Sequence, residues 1–229
     1  SLDDIPVVGG SAGDGLRFEK TWIFHGGKAH TDAAILILLK TSLPFRLFKC
    51  DNFEPSATKM VVTEADIERR IVKEINAEPA AEEYSRAVGI MDTKLDMFSF
   101  ASHPVLVRAG GAYYARSIQQ VNPDGSLNFF CAIDEGMVLT VANARNPVGV
   151  TKELFEETRA EMGDVSLYLG FECVFRRLDA EQHQFARDIS QLYRDNHVVG
   201  FHTYGEQYRS MHVNQTLTGV AIGKRPATP

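Results

Sequence analysis

The sequence predicts an α+β protein of two related modules, each a mixed β-sheet with helices packed on it. Three observations carry this. The second half reads as strands, helix, strand, helix, strand, strand. Its run "VSLYLGFECVF" is apolar enough for a central strand covered on both faces. Finally, "VVG" occurs at 7–9 and again at 198–200. Ser11-Ala12-Gly13-Asp14 follows the first copy as Thr203-Tyr204-Gly205-Glu206 follows the second, each a hydroxyl residue, a spacer, a glycine and an acid. A helix, a strand and a helix precede the second copy, and almost nothing precedes the first. The N-terminal module therefore reads as incomplete, and the natural chain as one that begins earlier.

Taken in order, a strand opens at Ile5, and "TWIFHGG" and "AAILILLKT" read as successive strands around Gly26-Gly27. "FRLFKC" is a further strand, closed by Pro55. "MVVTEADIERRIVKEI" fits a helix through Ile67, Ile71 and Ile75 and also fits a hairpin; the hairpin is preferred. "PAAEEYSRAVG" reads as a helix, with Pro79 in its first turn and Gly89 as its stop. No period runs through 91–104, which sets the boundary between domains 1–92 and 93–229. Beyond it, "VLVRAG" and "AYYARSIQQV" are strands joined at Gly110-Gly111, "NPDG" at 122–125 is a turn, and "SLNFFCAI" and "MVLTVAN" continue the sheet. Leu154, Phe155, Thr158 and Met162 mark one helix, and Phe185, Ile189, Leu192 and Tyr193 mark another. Asp179 and Gln182 supply a capping-box start for the second.

The totals exclude several function classes. The chain has 229 residues, is 44% apolar and 24% charged, and has a net charge of −6. An acidic chain with no basic run is a poor partner for a phosphate backbone. "AAILILL" is too short to span a bilayer, and "SLDDIP" lacks the basic start of a signal peptide. Three dispersed cysteines, Cys50, Cys131 and Cys173, form no CxxC pair, which points to a reducing, cytoplasmic compartment and to small buried apolar side chains. Catalytic signatures are missing: there is no GxSxG, P-loop or HExxH, and "GGSAGDG" leads into a strand rather than a helix. The chain therefore reads as non-enzymatic.

Polar chemistry concentrates near the C-terminus. If 201–206 is extended, His202, Tyr204 and Glu206 share a face; if 212–222 is extended, His212, Asn214, Thr216 and Thr218 share another. "QYRSM" is short enough to join the two as a hairpin and make these faces neighbours. Such a face is equipped to hold a polar ligand, and a solvated strand end explains each residue singly just as well. Arg176, beyond Cys173, either offers a guanidinium to a carboxylate ligand at the strand's end or is a solvated exit.

"VVGFHTYGEQY" followed by "HVNQTLTGVAIG" and preceded by "FECVFRRL" resembles the C-terminal part of the FIST sensory domain. "IPVVGGSAGDG", "VVTEAD" and "EINAEPAAEEY" resemble the later part of the FIST N-terminal domain. The resemblance implies an intracellular domain of bacterial signal transduction that binds a small ligand such as an amino acid and relays to a histidine kinase or cyclase. Its motif positions are Gly200, Tyr204, Gly205, Glu206, Asn214, Thr216, Cys173 and Arg176. Some members resemble haem proteins that sense nitric oxide and regulate a histidine kinase. Haem is then the implied cofactor, with His202 and His212 as axial ligands and Cys173 behind them.

Overall fold

β-branched and aromatic residues recur through 53–75, and these residues form one long hairpin that is the spine of the larger sheet. A computed structural model describes residues 5–91, 94–209 and 211–225. The first elements are β1 (Val8–Gly10), β2 (Ile23–His25), β3 (Lys28–His30), β4 (Phe45–Asp51), β5 (Phe53–Asp66), β6 (Ile71–Ile75) and β7 (Glu78–Pro79). Two helices follow, α1 (Ala80–Val88) and α2 (Met97–Ser102), then β8 (Val105–Ala109), β9 (Ala112–Arg116), β10 (Ile118–Val121), β11 (Leu127–Phe129) and β12 (Val138–Ala144). The chain closes with α3 (Pro147–Met162), β13 (Val165–Cys173), α4 (Val174–Gln182), α5 (Ala186–Asp195), β14 (Val198–Thr203), β15 (Glu206–Tyr208), β16 (Met211–Val213) and β17 (Thr216–Gly223).

The larger sheet runs β10-β11-β6-β5-β12-β8-β9, with β7 on β6. Its end strands β9 and β10 are separated in the chain by Ser117 alone, so the sheet curls until its ends approach. The curl encloses the main core, where Met60, Val62, Val72, Ile75, Leu127 and Leu139 meet Tyr84 of α1, Phe100 of α2 and Phe175 of α4. A smaller sheet, β14-β13-β17-β4, carries α3 and α5 on one face. There Phe48, Tyr168, Leu217 and Ala221 pack on Leu154 and Phe155. β13 and β14 run parallel, with α4 and α5 forming the crossover. β1, β15 and β16 make a third sheet, and β2 with β3 a hairpin.

The mixed α+β class is as predicted, and so are the hairpin over 60–75, whose first strand the structure extends back to Phe53, and the 110–111 and 122–125 turns. α1 stops as expected, since Gly89 takes φ 79° and returns its N–H to the last turn, while Pro79 sits just ahead of the helix. Several elements differ from expectation. Residues 33–40 form no strand, because no described segment lies alongside to complete a ladder. Pro55 does not close a strand; it lies inside β5, where the register with β12 shifts and no ladder N–H is needed. Within 91–104 stands α2, too short to show a period, capped by Asp96, whose carboxylate accepts from the Ser99 N–H at 2.9 Å. Asp179 and Gln182 belong to α4, and α5 starts after Phe185 without a side-chain cap.

β13 is central but covered on one face only. On the other, Leu167, Leu169 and Phe171 are half-buried beside exposed Val199 and Phe201. The expected boundary at 92/93 lies outside the described residues. Strands from both sides of it, β5 and β6 with β8 to β12, share the larger sheet.

Candidate functional site

The two halves of the echo meet, but the first "VVG" lies against 206–208, while the second "VVG" pairs with β13. β1 pairs antiparallel with β15, placing Gly10 opposite Glu206 and Val8 opposite Tyr208. The pairing extends through the following turn, where the Ser11 N–H donates to the Gly205 carbonyl at 2.9 Å and the Tyr204 N–H donates to the Ser11 carbonyl at 3.0 Å. Glycine is required for this approach. A Cβ at Gly10 would lie 2.2 Å from Thr203 Cγ2, and one at Gly13 would lie 2.8 Å from the Tyr204 ring. The sequence motif thus marks two segments built to touch.

β14 ends at Thr203 and the chain bends through Tyr204-Gly205, so strand alternation stops there. This corrects the expected shared face of His202, Tyr204 and Glu206, whose side chains go to three places. His202 stays on β14, exposed, with Nδ1 3.4 Å from Glu172 Oε2. Tyr204 turns toward the N-terminal loop. Its hydroxyl donates to Asp14 and accepts from the Leu16 N–H at 2.9 Å, and its ring lies 4.7 Å from that of Phe18. The Asp14 carboxylate also accepts from the N–H groups of Phe18, Glu19 and Lys20 at 2.9, 2.8 and 3.1 Å. The Tyr204 hydroxyl and these three N–H groups hold Asp14 well below the usual carboxylate range.

Glu206 points the other way, fully into the protein. One carboxyl oxygen accepts from the Thr203 hydroxyl, and the other accepts from the Thr216 hydroxyl at 2.8 Å and the Thr216 N–H at 3.3 Å. Burial pushes its pKa up to about 8 against these hydrogen bonds, so Glu206 holds a proton at neutral pH, and in that form the carboxyl O–H donates in one of the two hydroxyl contacts. It clamps the end of β14, the start of β15 and the start of β17 together.

The expected second face divides as well. A hairpin forms, but between β15 and β16, over the expected connector, rather than between 201–206 and 212–222. The chain then turns at Asn214-Gln215 before β17, which separates His212 from Thr216. The His212 ring lies against Gly205, so close that a Cβ there would fall 1.9 Å from Nε2. Burial and the guanidiniums of Arg70 and Arg116 lower its pKa. Asn214 is buried, and its Oδ1 has no hydrogen-bond partner among the described residues.

Arg176 does not offer its guanidinium at a strand end. It is buried, with Nε 3.3 Å from Glu172 Oε1, one terminal nitrogen 2.9 Å from Asn52 Oδ1 and the other 3.1 Å from Thr151 Oγ1. Tyr193 donates to Glu172 at 2.6 Å. This network binds β13, α4, α3 and α5 through ionic hydrogen bonds; every guanidinium nitrogen is occupied.

A cavity of about 370 Å³ opens beside Tyr204, lined by Phe18, Glu19, Lys20, Thr21, Thr31, Asp32, Gln119 and Tyr204. Tyr204 is the one anticipated site residue on its wall. Of the charged residues that line it, Glu19 and Lys20 lie in the loop after Asp14, to which the echo of Asp14 and Glu206 was the clue, and Asp32 lies just after β3. A larger cavity of about 600 Å³ lies over the 122–126 turn and includes none of the motif residues.

A family model described as the FIST N domain matches residues 1–78, and one described as the FIST C domain matches residues 80–209. The chain belongs to the FIST family. FIST domains are sensory domains of signal transduction proteins rather than catalytic ones. Neither the curated proteins nor the solved structures include a match to the chain. With family members read as haem proteins in mind, the three proposed iron ligands do not fit one haem. His202 is on the outer strand with Glu172, His212 is against Gly205, and the Cys173 thiol is in the main core, where burial raises its pKa well above the usual value. None of them lines either cavity. Among the described residues, no helix is long and apolar enough to cross a membrane, and all three cysteines are free and buried.

Proposed function

We propose that this FIST chain is a non-enzymatic sensor that takes a small zwitterion of the free amino acid class into the cavity beside Tyr204 and relays its occupancy to a signalling protein such as a histidine kinase or cyclase. One observation carries the reading: the cavity wall combines Tyr204 of the FIST C segment with 18–21 and 31–32 of the FIST N segment. A ligand there touches both segments at their junction. Lys20 supplies a cation for a carboxylate, Glu19 and Asp32 supply anions for an ammonium, and Thr21, Thr31 and Gln119 add neutral donors and acceptors. A few placed polar groups around a preformed cavity suffice for binding without chemistry.

Glu206, Thr216 and Arg176 act behind the site in this proposal, holding the strands whose ends carry Tyr204. Calorimetry with the common free amino acids tests it. At least one is expected to bind, and Lys20→Met is expected to weaken carboxylate-bearing ligands at least tenfold. If no amino acid binds or raises the melting temperature, the reading is wrong, because a ligand that binds only the folded state must stabilise it.

A further inference from the structure

Between β3 and β4 the chain exposes five consecutive large apolar residues. Ile35, Leu36, Ile37, Leu38 and Leu39 are 48%, 75%, 73%, 75% and 68% exposed. Residues 33–40 run without turn or helix and join no ladder among the described residues. Nor does any of their backbone N–H or C=O groups have a backbone hydrogen-bond partner there. A segment of this composition, apolar on both faces, belongs inside a sheet. Left bare, it is a template for pairing with another strand.

The sequence says which strand fits. The apolar run 33–39 is centred on Leu36 and flanked by Asp32 and Lys40. Antiparallel pairing of two copies about Leu36 sets Asp32 of each opposite Lys40 of the other, twice across the dyad. The same register sets Ile35 against Ile37, Ala34 against Leu38, Ala33 against Leu39 and Thr31 against Thr41. Small residues meet large ones, β-branched residues meet each other, and opposite charges close both ends, the pairings that stabilise adjacent strands. Sliding the register by one residue sets Asp32 against Leu39 or Thr41 and removes both ion pairs. Asp32 has φ 51°, so the extended run begins just after it, and the Lys40 side chain is long enough to reach its carboxylate.

We infer that residues 33–39 form an intermolecular strand, pairing antiparallel with the same segment of a second copy of this chain across a two-fold axis centred on Leu36. The contact is isologous, the same segment on both copies, and yields a two-fold dimer.

Sedimentation equilibrium of the whole chain over a micromolar concentration series tests this. A reversible dimer is expected. Ile37→Lys is expected to leave the protein monomeric with its circular dichroism unchanged, since the residue is exposed. Lys40→Asp is expected to weaken dimerisation at least tenfold, and Asp32→Lys combined with Lys40→Asp to restore it. Under mild oxidation Leu36→Cys is expected to form a covalent dimer faster than Leu39→Cys does. A monomer throughout the series overturns the inference. So does a dimer that survives Ile37→Lys, a double charge variant that stays as weak as Lys40→Asp, or equal crosslinking at positions 36 and 39.

Discussion

Replacing Glu206 by glutamine isolates one proton. In the folded protein the carboxyl is buried between Thr203 and Thr216, and its pKa stands at about 8 against an ordinary 4.5. Between those two values the folded state holds a proton that the unfolded state has released. Stability contributed by this group is therefore fully present below pH 4.5 and is lost as pH rises through 8. Each pH unit in the window costs about 1 kcal/mol, so from pH 5 to pH 7 the loss is about 2–3 kcal/mol. Glutamine keeps the shape, an acceptor and a donor, but has nothing to titrate. Urea unfolding followed by circular dichroism at pH 5, 6, 7 and 8 gives the stability of both proteins, and their difference cancels every other titrating group. The expected result is a difference that moves toward the variant by about 2–3 kcal/mol between pH 5 and pH 7. Parallel curves would refute the placement of a buried, protonated Glu206 at the junction of β14, β15 and β17.

Three further outcomes follow from the same geometry. Arg176→Ala strands Glu172 in the interior and is expected to cost about 3–5 kcal/mol in urea unfolding, whereas Glu172→Leu combined with Arg176→Met, which removes both charges, is expected to cost less than the single variant. Gly10→Ala drives a Cβ to 2.2 Å from Thr203 Cγ2 and is expected to lose about 1–3 kcal/mol of stability, while Gly9→Ala, whose Cβ would meet nothing nearer than 3.9 Å, is expected to change the melting temperature little. Titration with haemin is expected to give no stoichiometric Soret shift, since His202 is on the outer strand, His212 against Gly205 and Cys173 in the main core; a saturable shift lost in His202→Ala would contradict that placement.

Much of the fold was legible because its signals are local. The 122–125 turn, the glycine stop of α1 and the stripe of α3 need only neighbours in sequence. Signals that depend on distant partners misled. "AAILILL" has the composition of a strand, but a strand exists only where another lies beside it. "VSLYLGFECVF" suggested cover on both faces, and the sheet has helices on one. At the candidate site, strand alternation carried the strand to 206, three residues past the end of β14 at Thr203. The bend at Tyr204-Gly205 depends on contacts with Ser11 and His212, which no local pattern reports.

That bend gives the site its logic. Tyr204 and Glu206 flank a single glycine and face opposite directions, one toward the cavity and the Asp14 loop, the other into the strand junction. Gly205 joins the two through backbone, since its carbonyl accepts from Ser11 and its missing side chain lets His212 in. A ligand that shifts the Tyr204 ring must therefore move either Asp14, held by three N–H groups, or the Gly205 turn. The turn is in series with Glu206, whose proton and two threonine partners fix the ends of β14, β15 and β17. If occupancy travels by this route, adding the ligand must shift the pH at which Glu206 ionises, and ligand affinity must change across the same pH window by the same factor, because linkage is reciprocal. Affinity measured by calorimetry from pH 6 to pH 9, in the parent and in Glu206→Gln, decides the matter: a slope present in both proteins, or in neither, removes Glu206 from the path.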